Sequence, residues 1–354
     1  MLRRRSFDLP PDFFQSYLNS ICQHYAQWCR VYTLTDVVGQ ASSQGSPTVP
    51  MWDLGLKVQT IDRDKDPKTS ESKTKRFTVL EGFRKYAADH VLLVGQPGSG
   101  KSTALVRLLI EEAQKAQQDS SALIPVLVEL RYYQDSVLEL MRSFFKTHNL
   151  LLDLSTIETL LFERRFLLLI DGLNELPSEE ARSQLSALRR DDRKVPMIST
   201  TRDLGVGGNL NLTRKLEMQP LTEKQMQEFV QSYLPTRDTL LRQLGDRLRE
   251  LGQTPLLLLM LCSVFANNQT RVPPDLGSVF REFTQIHYCK LKEDAPVAEG
   301  SREYWAEMLQ VLAWKMTQRK SATELQVEIE MVRSLELSQM VEIHLLGVGR
   351  SENQ

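Results

Sequence analysis

Apolar positions along this chain follow two different periods. From residue 11, Phe13, Phe14, Tyr17, Leu18, Ile21 and Tyr25 recur every three or four residues, which predicts a helical segment over 11–35. The pattern then lapses. "GQASSQGSPTVP" reads as loop, "MWDLGLKVQTI" alternates enough for one short strand, and "DRDKDPKTSESKTKR" mixes both charge signs as a solvated loop does. Next come short, nearly continuous apolar runs: "HVLLVG", "LIPVLVEL" (123–130), "RFLLLIDGL" (165–173), "VPMISTTR" (195–202) and, as a fifth, "RKLEMQPL" (214–221). Helical stretches separate them. One starts near Lys101, one carries the stripe Val137, Leu140, Met141, Phe144 and Phe145, and one covers 178–190 behind a Pro-Ser start and acidic residues. Strands apolar on both faces and separated by helices predict an α/β fold, with a mainly parallel sheet sandwiched by helices.

After residue 221 the strands stop. Thr222 and Gln225 form a capping box ahead of the apolar face of Met226, Phe229, Val230 and Tyr233. Further helices are expected at 238–251, 255–267, 275–292 and 303–317, so an all-helical unit follows the sheet. No repeat with a period of 20–50 residues occurs. The expected division is a helical segment at 1–38, a polar linker with one short strand at 39–77, the sheet domain at 78–220, a helical domain at 221–290 and a C-terminal segment at 291–354.

Composition narrows the class. Of 354 residues, 41% are apolar and 25% charged, with a net charge of −1, as in a soluble globular protein with no overall pull toward nucleic acid or anionic lipid. The apolar stretch 256–266, interrupted only by Ser263, has 11 residues, too few to span a bilayer. "MLRRRSFDLPPDFF" has a basic start but no apolar run behind it, so no signal peptide is expected and the setting is cytoplasmic. Cys22, Cys29, Cys262 and Cys289 form no Cys-x-x-Cys pair, which points to reduced thiols rather than zinc or a disulfide framework.

The chemistry concentrates in three places. Gly95, Gln96, Pro97, Gly98, Ser99, Gly100, Lys101 and Ser102, followed by Thr103, match the phosphate-binding loop between a strand and a helix. Its glycines let backbone N–H groups curl around phosphate oxygens, and the helix presents its positive end to the same anion. Lys101 is placed to reach the β- and γ-phosphates, and the Ser102 hydroxyl to ligate Mg²⁺. In "LLLIDGLNEL", Asp171 ends a strand where a Mg²⁺-holding carboxylate belongs, and Glu175, four residues on, is placed to orient or deprotonate an attacking water. Arg202 ends "ISTTR", where a guanidinium would sense the γ-phosphate. Pro255 starts the apolar helix of "TPLLLLML".

In this order, the phosphate loop, "LIDGLNEL", "STTR", "MQPLTEKQMQEFV" and "TPLLLLML" resemble NACHT-type nucleotide-binding domains of the STAND class of P-loop NTPases, over about residues 78–290. "HYAQWCRVYTLTDV" looks like the segment preceding NACHT in bacterial members. The resemblance implies that Arg202 is the sensor arginine, that Pro255 touches the adenine and that 221–290 is the helical lid. Asn174 stands where many NACHT domains carry Asp. The family's winged-helix domain brings a histidine to the β-phosphate. Here "YWAEMLQVLAWKM" resembles the start of that region, but His344 in "VEIHLLGVG" does not match, so a truncated or fragmentary member is expected.

The function these readings imply is a slow ATPase that binds ATP or ADP with Mg²⁺ and acts as a nucleotide-dependent oligomerisation switch, through self-association or a signalling partner. Two alternatives compete. One is a nucleotide-binding scaffold with little turnover, against which the intact Lys101, Asp171 and Glu175 speak. The other is a nucleic-acid-stimulated ATPase, against which the lack of an extended basic and aromatic strip speaks.

Overall fold

The computed structural model describes residues 10, 12–26, 55–61, 75–191, 194–202, 212, 214–234, 237–244, 252–267 and 271–288. The expected C-terminal segment 291–354, with its helix at 303–317 and His344, lies outside the described residues, as do Cys29 and Cys289.

Seven strands form one sheet in the order β2-β1-β7-β3-β6-β5-β4. They are β1 (Lys57–Thr60), β2 (Arg76–Thr78), β3 (Val91–Val94), β4 (Ile124–Glu129), β5 (Phe166–Asp171), β6 (Met197–Thr201) and β7 (Arg214–Met218). The five apolar runs are the five parallel strands, with β4 beside β5, β5 beside β6, and β3 between β6 and β7. All four residues of β3 are buried, as a strand covered on both faces requires. β1 and β2 extend the sheet as antiparallel strands beyond β7. Thus the polar stretch 39–77 contributes β1 and the first two residues of β2 to the sheet. β2 is three residues long with only Phe77 half-buried, too short for a period-2 pattern to register.

Among the described helices, α1 is Gln15–His24, α2 Val79–Tyr86, α3 Lys101–Gln118, α4 Val137–Thr147, α5 Leu154–Phe162, α6 Glu179–Asp191, α7 Glu223–Tyr233, α8 Arg237–Leu244, α9 Pro255–Asn267 and α10 Leu276–Tyr288. Two capping boxes set helix starts. Thr78 and Glu81 open α2, and Thr222 and Gln225 open α7 as the sequence predicts. Phe14, just before α1, and Tyr17, Leu18 and Ile21 within it are buried. The Tyr17 hydroxyl donates to the Pro125 carbonyl at 2.7 Å, which satisfies an acceptor on the edge strand β4.

Two apolar cores result. One runs through both faces of the sheet, from Phe14 to Met218. The other lies among α7 to α10 and includes Leu221, Met226, Phe229, Val230, Leu258, Phe265 and Val279. Half-buried Leu56 packs against both. No described helix is long and apolar enough to cross a membrane.

Candidate functional site

The parallel strands deliver their carboxyl ends to one edge of the sheet, where open α/β sheets bind ligands. β3 ends at Val94, and the loop 95–100 passes directly into α3 at Lys101. The Gly95 N–H donates to the Thr201 carbonyl at 3.3 Å, which ties the loop to the end of β6. Gly98 has φ +74°, and a Cβ there would lie 2.6 Å from the Cβ of Leu256. Glycine is therefore required twice at this point, by the backbone and by the close approach of α9. The Leu256 N–H donates to the Gly98 carbonyl at 3.3 Å, so the first turn of α9 rests on the loop.

Lys101 is 9% exposed. Its Nζ donates to the carbonyls of Gly95 (2.6 Å) and Gln96 (3.0 Å), so the ammonium curls over the loop that precedes it. Burial brings its pKa down to about 8, Asp171 and Glu175 oppose that fall, and Arg202 adds to it. The Ser99 hydroxyl is buried and has no hydrogen-bond partner among the described residues. Ser102, by contrast, is exposed. A buried orphan hydroxyl beside a lysine and a helix N-terminus is a donor set that suits a phosphate.

β5 and β6 supply the rest. Asp171 closes β5, and its Oδ1 accepts the hydroxyl hydrogen of Thr200. The same hydroxyl accepts from the Gly172 N–H at 2.9 Å. Gly172 adopts φ +84°, and a Cβ on it would lie 2.7 Å from Oε2 of Glu175. The glycine thus lets the chain reverse into the short 3₁₀ turn Leu173–Glu175 and fold the Glu175 carboxylate back over the end of β5. Arg202 follows β6. Its Nη2 donates to Glu175 Oε1 at 3.0 Å, and its main-chain N–H donates to Asn174 Oδ1 at 3.1 Å.

The structure therefore brings Lys101, Asp171, Glu175 and Arg202 to one edge. Pro255 is buried at the first position of α9, where its missing N–H costs nothing. Its neighbour Leu256 is the residue that meets the loop. A cavity of about 190 Å³ opens beside α3, lined in part by Leu56, Thr78, Val79, Leu80, Thr103 and Arg107. Pro255 is not in that lining.

Sequence reasoning missed Thr200 and Leu256. Thr200 looks like any β-branched strand residue, although a hydroxyl two residues before the strand-end Arg202 was the available signal. Leu256 sits in a continuous leucine run and carries no signal of its own.

For Mg²⁺, the residues fit a site that uses few protein ligands. Asp171 has a second oxygen free of the Thr200 bond, and Ser102 is open to solvent. Among the described residues, no three His, Cys, Asp or Glu side chains converge as a metal cage. Magnesium needs none, because it is ordinarily held by one or two carboxylates plus substrate phosphates and water.

A parallel sheet flanked by helices, with a glycine-rich loop leading from the central strand into a helix and a carboxylate on a neighbouring strand, defines a P-loop NTPase fold. Within it, residues 89–237 match the family model of the NACHT domain. No curated protein matches the chain. Among solved structures, it is similar to the Aeropyrum pernix Orc1 protein in complex with DNA, with 16% identity over 71% of this chain and 81% of that one and a TM-score of 0.44. It is also similar to Drosophila ORC bound to DNA, with 16% identity, 72% and 70% coverage and a TM-score of 0.41. The Thermotoga maritima RuvB Holliday junction branch migration motor is a third, with 17% identity, 58% and 66% coverage and a TM-score of 0.34.

Proposed function

We propose that this chain is an ATP-binding, slowly hydrolysing NTPase of the STAND class. In this reading it works in signal transduction as a nucleotide-dependent oligomerisation switch. The observation that carries the proposal is the meeting of Lys101, Asp171, Glu175 and Arg202 at the carboxyl edge of the sheet, with α9 bonded to the phosphate loop through Gly98.

Each residue has a role in that reading. Loop N–H groups and the Ser99 hydroxyl bind phosphate oxygens. Lys101 leaves the Gly95 and Gln96 carbonyls for the β- and γ-phosphates. Asp171 and Ser102 hold Mg²⁺, which when bound neutralises charge on the phosphates. Glu175 accepts a proton from the attacking water at its carboxylate, and Arg202 contacts the γ-phosphate. The cavity beside Thr103 and Arg107 lies along α3 from the loop, where a nucleoside attached to those phosphates has apolar walls in Leu56, Val79 and Leu80. Switching further requires that ADP and ATP favour different arrangements of the 221–290 lid, because a nucleotide with equal affinity for both shifts nothing.

The test is direct. Nucleotide extracted from the purified chain is identified by chromatography, and binding is compared in Lys101→Ala, which should abolish triphosphate binding. Light scattering with ATP and with ADP tests the oligomerisation step. Undiminished ATP affinity in Lys101→Ala would remove the assignment of the loop, and equal mass in both nucleotides would remove the switch.

A further inference from the structure

The turn that carries Glu175 holds Arg202 at two points, and only one of them involves a charge. Glu175 accepts from the guanidinium at 3.0 Å, while the preceding Asn174 accepts from the Arg202 main-chain N–H at 3.1 Å. The two residues are adjacent on the turn Leu173–Glu175, which the Glu175 N–H closes onto the Gly172 carbonyl at 2.7 Å. The other anchor between the same two segments is Thr200, which accepts from the Gly172 N–H and donates to Asp171. The end of β5 and the end of β6 are thus joined at Gly172–Thr200, at Asn174–Arg202 and at Glu175–Arg202. β6 ends at Thr201, and the peptide that leads into Arg202 is held at both of its polar atoms: its carbonyl accepts from the Gly95 N–H, and its N–H donates to the Asn174 amide oxygen, the grip that comes from the turn.

We propose that Asn174 is a positioning residue: by accepting the Arg202 main-chain N–H it aims that guanidinium at Glu175 and at the place of a terminal phosphate, and so sets the preference for triphosphate over diphosphate. The inference rests on the nucleotide reading above. The physical case is the geometry of the grip. Arg202 is 57% exposed at the side chain, so a long, solvated guanidinium would otherwise sample many rotamers. Fixing its main chain removes part of that freedom before any ligand arrives, which is how preorganisation contributes to binding. Asn also does this without adding charge. A carboxylate in its place accepts the same N–H, but stands as a third anion beside Asp171 and Glu175.

The test uses the full chain with Asn174→Ala, Asn174→Asp and the parent. ATP and ADP affinities are measured by fluorescence competition, and exchange of the Arg202 amide is followed by NMR without nucleotide. Losing one neutral hydrogen bond is expected to reduce the ATP-over-ADP preference by roughly three- to tenfold in Asn174→Ala, with ADP affinity within about twofold of the parent. Asn174→Asp restores the preference. Arg202 amide exchange rises in the Ala variant and not in the Asp variant. An Ala variant that keeps the parent preference, or that weakens ATP and ADP equally, overturns the proposal, as does failure of Asp to restore it. The amide exchange reads the grip without nucleotide, so its failure belongs to this inference alone. A parent chain that binds neither nucleotide overturns the functional reading and the nucleotide preference with it.

Discussion

Raising the pH from 7 to 9 should weaken ATP binding about tenfold, and the cause is Lys101. Its ammonium is buried against the phosphate loop, with a pKa brought down to about 8 chiefly by loss of solvent. At pH 7 about nine-tenths of the chains therefore carry the charge, and at pH 9 about one-tenth. The β- and γ-phosphates favour the charged form, so binding raises the pKa and takes up a proton above pH 8. Affinity is full below the free-state pKa and is lost as pH climbs through it, by about tenfold or ~1.4 kcal/mol between pH 7 and 9. The assay is titration of a fluorescent ATP analogue at constant free Mg²⁺ at pH 7, 8 and 9. Lys101→Arg is the control, because a guanidinium stays charged throughout and should bind with a flat profile whatever its absolute affinity. A parent profile flat to within twofold, or one matched by the Arg variant, would refute the claim that desolvation of Lys101 governs the site.

Glu175→Gln should keep ATP but slow hydrolysis by ~10²-fold or more, measured by phosphate release; turnover at the parent rate would end its assignment as the base. Gly98→Ala should cost about 1–2 kcal/mol for the left-handed backbone, more where its Cβ meets Leu256, and should lower the melting temperature and ATP affinity together. Combining it with Leu256→Ala should recover part of that loss, whereas strictly additive effects would show that the two residues do not press on each other. His148 is buried among Tyr17, Tyr25, Phe144 and His24, and burial, followed by the proximity of His24, lowers its pKa to about 4. The folded chain then holds fewer protons than the unfolded chain between pH 4 and 6.5, so this contribution is complete above 6.5 and falls by at most about 3 kcal/mol as pH drops to 4. His148→Phe should flatten that acid limb in urea melts, and an unchanged limb would place its cause elsewhere.

What the sequence made legible follows from how strongly each feature is constrained. The five parallel strands showed because burial on both faces leaves almost no polar residue in Val91–Val94 or Phe166–Ile170. Lys101 showed because it closes the glycine-rich pattern between a strand and a helix, and Asp171, Glu175 and Arg202 showed because they stand at or just past strand ends, where polarity interrupts an apolar run. β2 and α2 did not show. The strand is three residues long, and the eight-residue helix has Gly82 in its middle, which propensity counts against. The packing explains the glycine, since a Cβ there would lie 3.0 Å from both Leu216 and Val58. Pairwise contacts were equally silent. Nothing in "TPLLLLML" marks Leu256 over its neighbours, and nothing in "LNEL" reveals that Asn174 reaches across to the amide of Arg202.

Those silent contacts bear on how a ligand at the phosphate loop reaches the helical core. The two cores meet through a small set of atoms in the described residues. Leu256 N–H bonds to the Gly98 carbonyl, Gln225 Nε2 bonds to the Gly55 carbonyl at 3.1 Å, and Leu56 packs on both sides. Each of these lies beside the candidate site: Gly98 within the phosphate loop, and Gly55 and Leu56 in the wall of the cavity along α3. The Leu256 contact has no slack, since not even a methyl group fits between it and Gly98. Close-packed contacts pass on displacement rather than absorb it. A ligand that rearranges the loop at Gly98 therefore has to move α9 or strain against it, and one that fills the cavity bears on Leu56, at the margin of the second core. The helical side of that connection lies in the first turn of α9, and the rest in the residues leading into β1, both well apart in sequence from Lys101.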